Sequence, residues 1–139
     1  MSALLDSSVL IAALACDETR HAESLALLMQ GGNAVYSHAI LETFSTLTGG
    51  RLGVKVDAHL AARFLNETIL PRVHVVELGS AELMAALQQA RLRGVRGGAG
   101  YDFMHLIAAR KAGAEILYTI NLSDFLHLRR EGDPEMRCP

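Results

Sequence analysis

Short apolar runs alternate along this chain with segments whose apolar residues recur every three or four positions, a pattern that predicts strands separated by helices. Ala3, Leu4 and Leu5 form the first run. It is closed by Asp6-Ser7-Ser8, a triplet suited to capping a helix over residues 9–15. After a loop over 16–20, the spacing predicts a helix over 21–30 that Gly31-Gly32 terminates. A strand over 34–36 and a helix over 38–47 follow, stopped at Gly49-Gly50. Val56, Leu60, Ala61, Phe64 and Leu65 keep helical spacing, which predicts one helix over 56–70 ending before Pro71. The β-branched residues 73–78 predict a strand and 80–92 a helix. Beyond a glycine-rich loop over 97–100 come a helix over 101–112, a strand over 116–120 and a short helix over 123–128. The last residues are either an edge strand or a trailing segment.

Strands joined through helices imply βαβ units. The expected fold class is therefore α/β, with a mainly parallel central sheet of four to five strands and helices on both faces. In such sheets ligands bind beyond the carboxyl ends of the strands, so polar residues placed just after a strand are the ones to inspect.

Composition narrows the classes. At 139 residues, with 50% apolar and 20% charged side chains, the chain suits one domain over 1–139 around a sizeable core. Charges interrupt every long apolar stretch before the roughly 18–20 residues of a membrane span are reached, so a soluble, cytoplasmic protein with no membrane partner is expected. Two cysteines, Cys16 and Cys138, are too few for a disulfide framework and are read as free thiols. The net charge of −2 excludes a broad cationic nucleic-acid surface. Arg91, Arg93 and Arg96 nevertheless fall within six positions, and their planar guanidinium forks are candidate contacts for an RNA backbone. A solvated helix end is the plainer reading of the same cluster.

Four acids, at strand ends or early in helices, could converge on one edge of the sheet. Asp6 follows the first strand, Glu42 lies one turn into the helix after the second, Asp102 opens a helix, and Asp124 follows the last predicted strand with Asn121. Capping alone would account for Asp6, Asp102 or Asp124. Glu42 is harder to dismiss, because a lone carboxylate among Ala39, Ile40, Leu41, Phe44 and Leu47 is costly without solvent, a partner or a metal. Convergent carboxylates repel one another unless cations neutralise them, and the hard ions Mg²⁺ or Mn²⁺ suit such oxygen donors. The six histidines show no zinc-site spacing. His105 shares a helix face with Asp102, and a structural role is its preferred reading. Tyr101 is one candidate for stacking on a base and a core tyrosine by the other reading.

The fragments LLDSSVLIAAL, YSHAILETFSTLTGG and YDFMHLIAARKAGAEILYTINLSDF, in this order over nearly the whole chain, resemble the PIN-domain family and within it the VapC-type toxins of toxin–antitoxin pairs. The resemblance implies a three-layer α/β/α PIN-like fold and a divalent-metal-dependent endoribonuclease that inhibits translation by cutting tRNA or rRNA. By position it implies metal binding at Asp6, Asp102 and Asp124 and metal or water positioning by Glu42, the four together being catalytic. Ser8, Thr119 and Asn121 take supporting roles. The fourth acidic position falls at either Asn121 or Asp124. The implied cofactor is Mg²⁺ or Mn²⁺, and the implied partners are RNA, a VapB-type antitoxin and a second copy of the chain, with the helices over 38–47 and 56–70 lining the groove and dimer surface. Response regulators and haloacid-type phosphohydrolases, which also carry an acid after the first strand, fail here. The latter need an aspartate where Ser8 stands, and both need a lysine after a late strand, whereas Lys55 and Lys111 lie elsewhere. The remaining alternative is a non-catalytic PIN-like binding module whose acids serve as caps.

Overall fold

A computed structural model describes residues 2–53 and 55–139. Five strands form one sheet in which every pair is parallel: β1 (Ala3–Leu5), β2 (Asn33–Tyr36), β3 (Val73–Val76), β4 (Ile116–Tyr118) and β5 (Glu135–Arg137), in the order β3-β2-β1-β4-β5. The C-terminal segment is thus an edge strand, paired with β4 from Glu135 to Arg137.

Helices cover both faces, giving three α/β/α layers. On one side lie α1 (Ser7–Leu14), α2 (His21–Gln30), α3 (Ser37–Thr48) and α4 (Ala58–Phe64). On the other lie α5 (Ser80–Gln88), α6 (Ala99–Lys111) and α7 (Leu122–Leu126). Successive strand residues point to opposite faces, so neighbours in sequence serve different cores. Leu4, Ala34, Tyr36 and Leu117 pack with Phe103, Leu106 and Phe125, whereas Leu5 and Val35 pack with Val9, Leu10, Leu28 and Ile69. Because β1 is buried on both faces it reads as an unbroken apolar run, the mark of a central parallel strand.

Several elements differ from their predicted extents: α1 begins two residues early at Ser7, the strands expected over 73–78 and 116–120 end at Val76 and Tyr118, and three further helices also differ. The helix expected over 56–70 is capped by Asp57, runs as α4 to Phe64, widens into a π turn over Leu65–Ile69 and tightens into a 3-10 turn over Leu70–Arg72. Pro71 has no N–H to continue the ladder, and the wide turn lets both Leu65 and Ile69 reach the core. The helix expected to Leu92 ends as α-helix at Gln88 and continues as a 3-10 turn over Ala90–Arg93, stopped by Gly94 at φ 66°. Conversely, α6 starts two residues early and absorbs Gly100.

Arg93 anchors the C-terminal region to this framework. Its Nη1 donates to Asp133 Oδ2 at 2.6 Å and to the Leu128 carbonyl at 3.1 Å, while the guanidinium lies 5.6 Å from the centroid of the Phe103 ring. Both members of the ion pair are buried. Arg91 and Arg96 remain exposed, so the three arginines do not form one surface cluster. Among the described residues no helix is long and apolar enough to cross a membrane. Both cysteines are free thiols.

Candidate active site

In the order β3-β2-β1-β4-β5 the chain leaves β1 toward one edge and later returns to β4 on its other side. The carboxyl ends of β1 and β4 therefore flank a crevice at the point where strand order reverses, the usual ligand position in open parallel sheets. Asp6 follows β1, Thr119 and Asn121 follow β4, and Asp124 lies in the first turn of α7.

Local chemistry fixes Asp6. Its Oδ1 accepts from the Val9 backbone N–H at 3.2 Å, capping α1, and from Ser8 Oγ at 2.5 Å. Ser8 Oγ in turn accepts from Ile120 N–H at 2.9 Å and stands 3.4 Å from Thr119 Oγ1, which accepts from Asn121 N–H at 3.0 Å. Ser8 and Thr119 thereby stitch the two strand ends together beneath the aspartate. Burial drives the Asp6 carboxyl pKa up against the opposing effects of His105 and these hydrogen bonds.

Capping accounts for Asp6 alone. Gly98 and Asn121 occupy the cap positions of α6 and α7 without side-chain cap bonds, leaving Asp102 and Asp124 inside the first turns. The Asp102 pKa is raised to about 6, chiefly by burial, which outweighs the lowering effect of His105 and is reinforced by the charges of Asp6, Asp124 and Glu42. The other three acids therefore lie within electrostatic reach of Asp102, although the four come from separate stretches of chain.

Glu42 has protein partners. His105 Nε2 lies 2.8 Å from its Oε1, and Ser7 Oγ donates to its Oε2 at 3.2 Å. Burial alone would raise its pKa. Together the His105 hydrogen bond and charge, the Ser7 bond and His38 outweigh that and hold it below the ordinary value. His105 is itself buried, its ring set edge-on to Tyr36 at 5.5 Å, and its Nδ1 has no hydrogen-bond partner among the described residues. It touches the site directly, beyond the structural role expected of it. The signal was its place three residues after Asp102 on an otherwise apolar helix. Ser7, read in the sequence only as part of a capping triplet, is the residue that sequence reasoning passed over.

The donors at these strand ends are carboxylates and hydroxyls, hard oxygen ligands that match a hard divalent cation, with the exposed Asn121 next to them in sequence. Among the described residues, no three His, Cys, Asp or Glu side chains are already drawn together as a metal-holding group. Burial is the main cause of the raised Asp102 pKa, and the neighbouring carboxylates add to it. By donor chemistry the residues fit the cation.

Comparisons with known proteins agree with this architecture. The sequence matches the PIN domain family over residues 3–128. No curated protein matches it significantly. Among solved structures it is similar to VapC20 of Mycobacterium tuberculosis, a sarcin-ricin loop cleaving toxin, at 19% identity and a TM-score of 0.67, covering 95% of this chain and 99% of that one. It is similar to VapBC2 of Rickettsia felis, bound to a DNA fragment from their promoter, at 15% identity and a TM-score of 0.68, covering 100% and 99%. A toxin-antitoxin complex from Klebsiella pneumoniae aligns at 21% identity and a TM-score of 0.63, covering 99% and 97%. With a family match over most of its length, and with acids collected at the switch point of a five-stranded parallel sheet, this chain belongs to the PIN domain family.

Proposed function

We propose that this protein is a divalent-metal-dependent endoribonuclease, one PIN-like domain acting as the toxin of a toxin–antitoxin pair. The observation that carries the reading is the hydrogen-bond network that holds two of the four acids at the carboxyl edge of the sheet, Asp6 through Ser8 and Glu42 through Ser7 and His105, which capping alone does not require. The family match and the likeness to VapC structures support it.

Asp6, Asp102 and Asp124 would hold Mg²⁺ or Mn²⁺, with Asn121 as a neutral oxygen donor. When bound, a divalent ion supplies a water active at neutral pH and offsets the charge that develops on the phosphate. Ser8 and Thr119 fix the Asp6 carboxylate, Ser7 and His105 fix Glu42, and Glu42 positions the attacking water. Arg91 and Arg96, both exposed, would contact the RNA backbone. Translation is inhibited by cutting tRNA or rRNA, in the cytoplasm.

The partners follow the same reading: a VapB-type antitoxin that covers the site, and a second copy of the chain. An apolar groove of about 410 Å³ between α3 and the π turn, lined by Ile40, Leu41, Phe44, Leu65 and Leu70, supports docking on the surface expected from residues 38–47 and 56–70.

Incubation with structured RNA and Mg²⁺ or Mn²⁺ tests the activity. Wild type should cut and chelator should stop it. Asp6→Asn and Asp102→Asn should each lose at least about 100-fold in rate, the scale of removing a group that stabilises transition-state charge. RNA cut equally by all of these leaves a non-catalytic binding module instead.

A further inference from the structure

Beside the carboxylates, the first turn of α3 and the first turn of α6 bring two rings face to face. His38 and Tyr101 are parallel to within 12°, with centroids 5.6 Å apart. Tyr101 is 60% exposed, the most exposed Phe or Tyr among the described residues, although it sits in an ordered helix directly before Asp102. The pair walls a cleft of about 390 Å³ completed by Leu41, Glu42, Ser45 and Thr46. That volume lies within the roughly 300–1,000 Å³ of small-ligand sites.

We propose that the His38–Tyr101 pair is a stacking platform for one base of a single-stranded RNA whose phosphate lies at the neighbouring acids; this rests on the ribonuclease reading. Three observations select a base over another group. Tyr101 offers an exposed aromatic face backed by the parallel His38 ring, and base–aromatic stacking is the general means of holding unpaired nucleotides. The Glu42 carboxylate in the same wall repels a phosphate, so the cleft takes the uncharged part of a nucleotide and leaves the phosphate outside. The Ser45 and Thr46 hydroxyls each both donate and accept, matching the mixed edge of a base. Tyr101 adjoins Asp102 in sequence, so the base held here belongs to a nucleotide flanking the cleaved bond.

The test uses the full chain carrying Asp6→Asn, which stops cleavage while asparagine preserves the helix cap. Short single-stranded RNAs carry 2-aminopurine or an abasic site at each position in turn, in Mg²⁺. The expected result is 2-aminopurine quenching at one position, and an abasic site there that weakens binding about tenfold, within the roughly 5- to 150-fold that one lost stack brings. Adding Tyr101→Ala should remove the quench and cause the same loss, with no further loss from the abasic site. Tyr101→Phe should retain both signals, and His38→Leu should diminish them. Quench and affinity unchanged by Tyr101→Ala would overturn the platform and leave the ribonuclease standing. RNA neither bound nor cut by protein with native Asp6 overturns both.

Discussion

His105 and Glu42, 63 positions apart in sequence, meet at 2.8 Å, Nε2 to Oε1, although α6 and α3 cover opposite faces of the sheet. With Glu42 ionised, the imidazole N–H donates to the carboxylate, and a histidine on an apolar helix becomes the means by which an acid on another apolar helix is oriented.

Removing the imidazole should therefore cost stability as well as activity. His105→Ala deletes a buried ring and a charge-assisted hydrogen bond, an expected loss of about 3 kcal/mol. Paired with Glu42→Gln in a double-mutant cycle read by urea unfolding, the two residues should show a coupling of about 1 kcal/mol or more. Additive effects would mean that the contact does not operate in solution.

Asp102 makes metal-free stability fall as pH rises. Its folded pKa of about 6 lies above the ordinary 3.8, so the folded state favours the proton. Below about pH 4 the group is protonated in both states and contributes nothing. Between 4 and 6 ionisation penalises the folded state progressively, and above 6 the penalty is complete. The shift bounds it at about 3 kcal/mol, or about 1–2 after allowance for solvent screening. In chelator, Asp102→Asn should melt higher than wild type at pH 7.5 and equally at pH 3.5. Mg²⁺ or Mn²⁺ should raise the wild-type melting temperature and leave that of the variant almost unchanged. A wild-type chain insensitive to both pH and ion would contradict the coupling.

The arginines at 91, 93 and 96 should separate by role. Arg93→Ala breaks the buried pair with Asp133, expected to cost about 3 kcal/mol and roughly 10 °C in Tm. Arg91→Ala and Arg96→Ala should stay within about 0.5 kcal/mol of wild type. Each should instead weaken RNA binding and reduce the slope of log affinity against log salt by about 1. Thermal melts and salt-dependent RNA titrations read the two quantities independently.

The groove at Phe44 and Leu70 predicts a dimer. Light scattering after size exclusion at micromolar concentration should give twice the chain mass, and Leu70→Glu, at an exposed groove position, should give a folded monomer. A wild-type monomer across that range would remove the homodimer from the proposal.

The order of strands and helices was legible because each element carries its own period, and the buried runs at 3–5, 34–36 and 116–118 announce a parallel sheet. The acids were legible for the same reason, as polar residues set at a strand end or early in a helix. The break of α4 was hidden, because a π turn shifts the apolar face by one residue and leaves the local pattern helical. Arg93 was hidden more deeply. Its neighbours Arg91 and Arg96 are solvated, and nothing local distinguishes the one whose partner, Asp133, lies 40 positions on.

Periodicity, capping residues and the placement of Asp6 and Asp124 after strands and of Glu42 and Asp102 early in helices are local properties, and they determined the fold class and the candidate acids. Which side chains oppose which across the crevice depends on sheet order and helix placement, set by packing of two cores that share β1. Only that packing brought His105 to Glu42, set His38 against Tyr101 and raised Asp102, because electrostatics and stacking act over a few ångströms of space and are blind to distance along the chain.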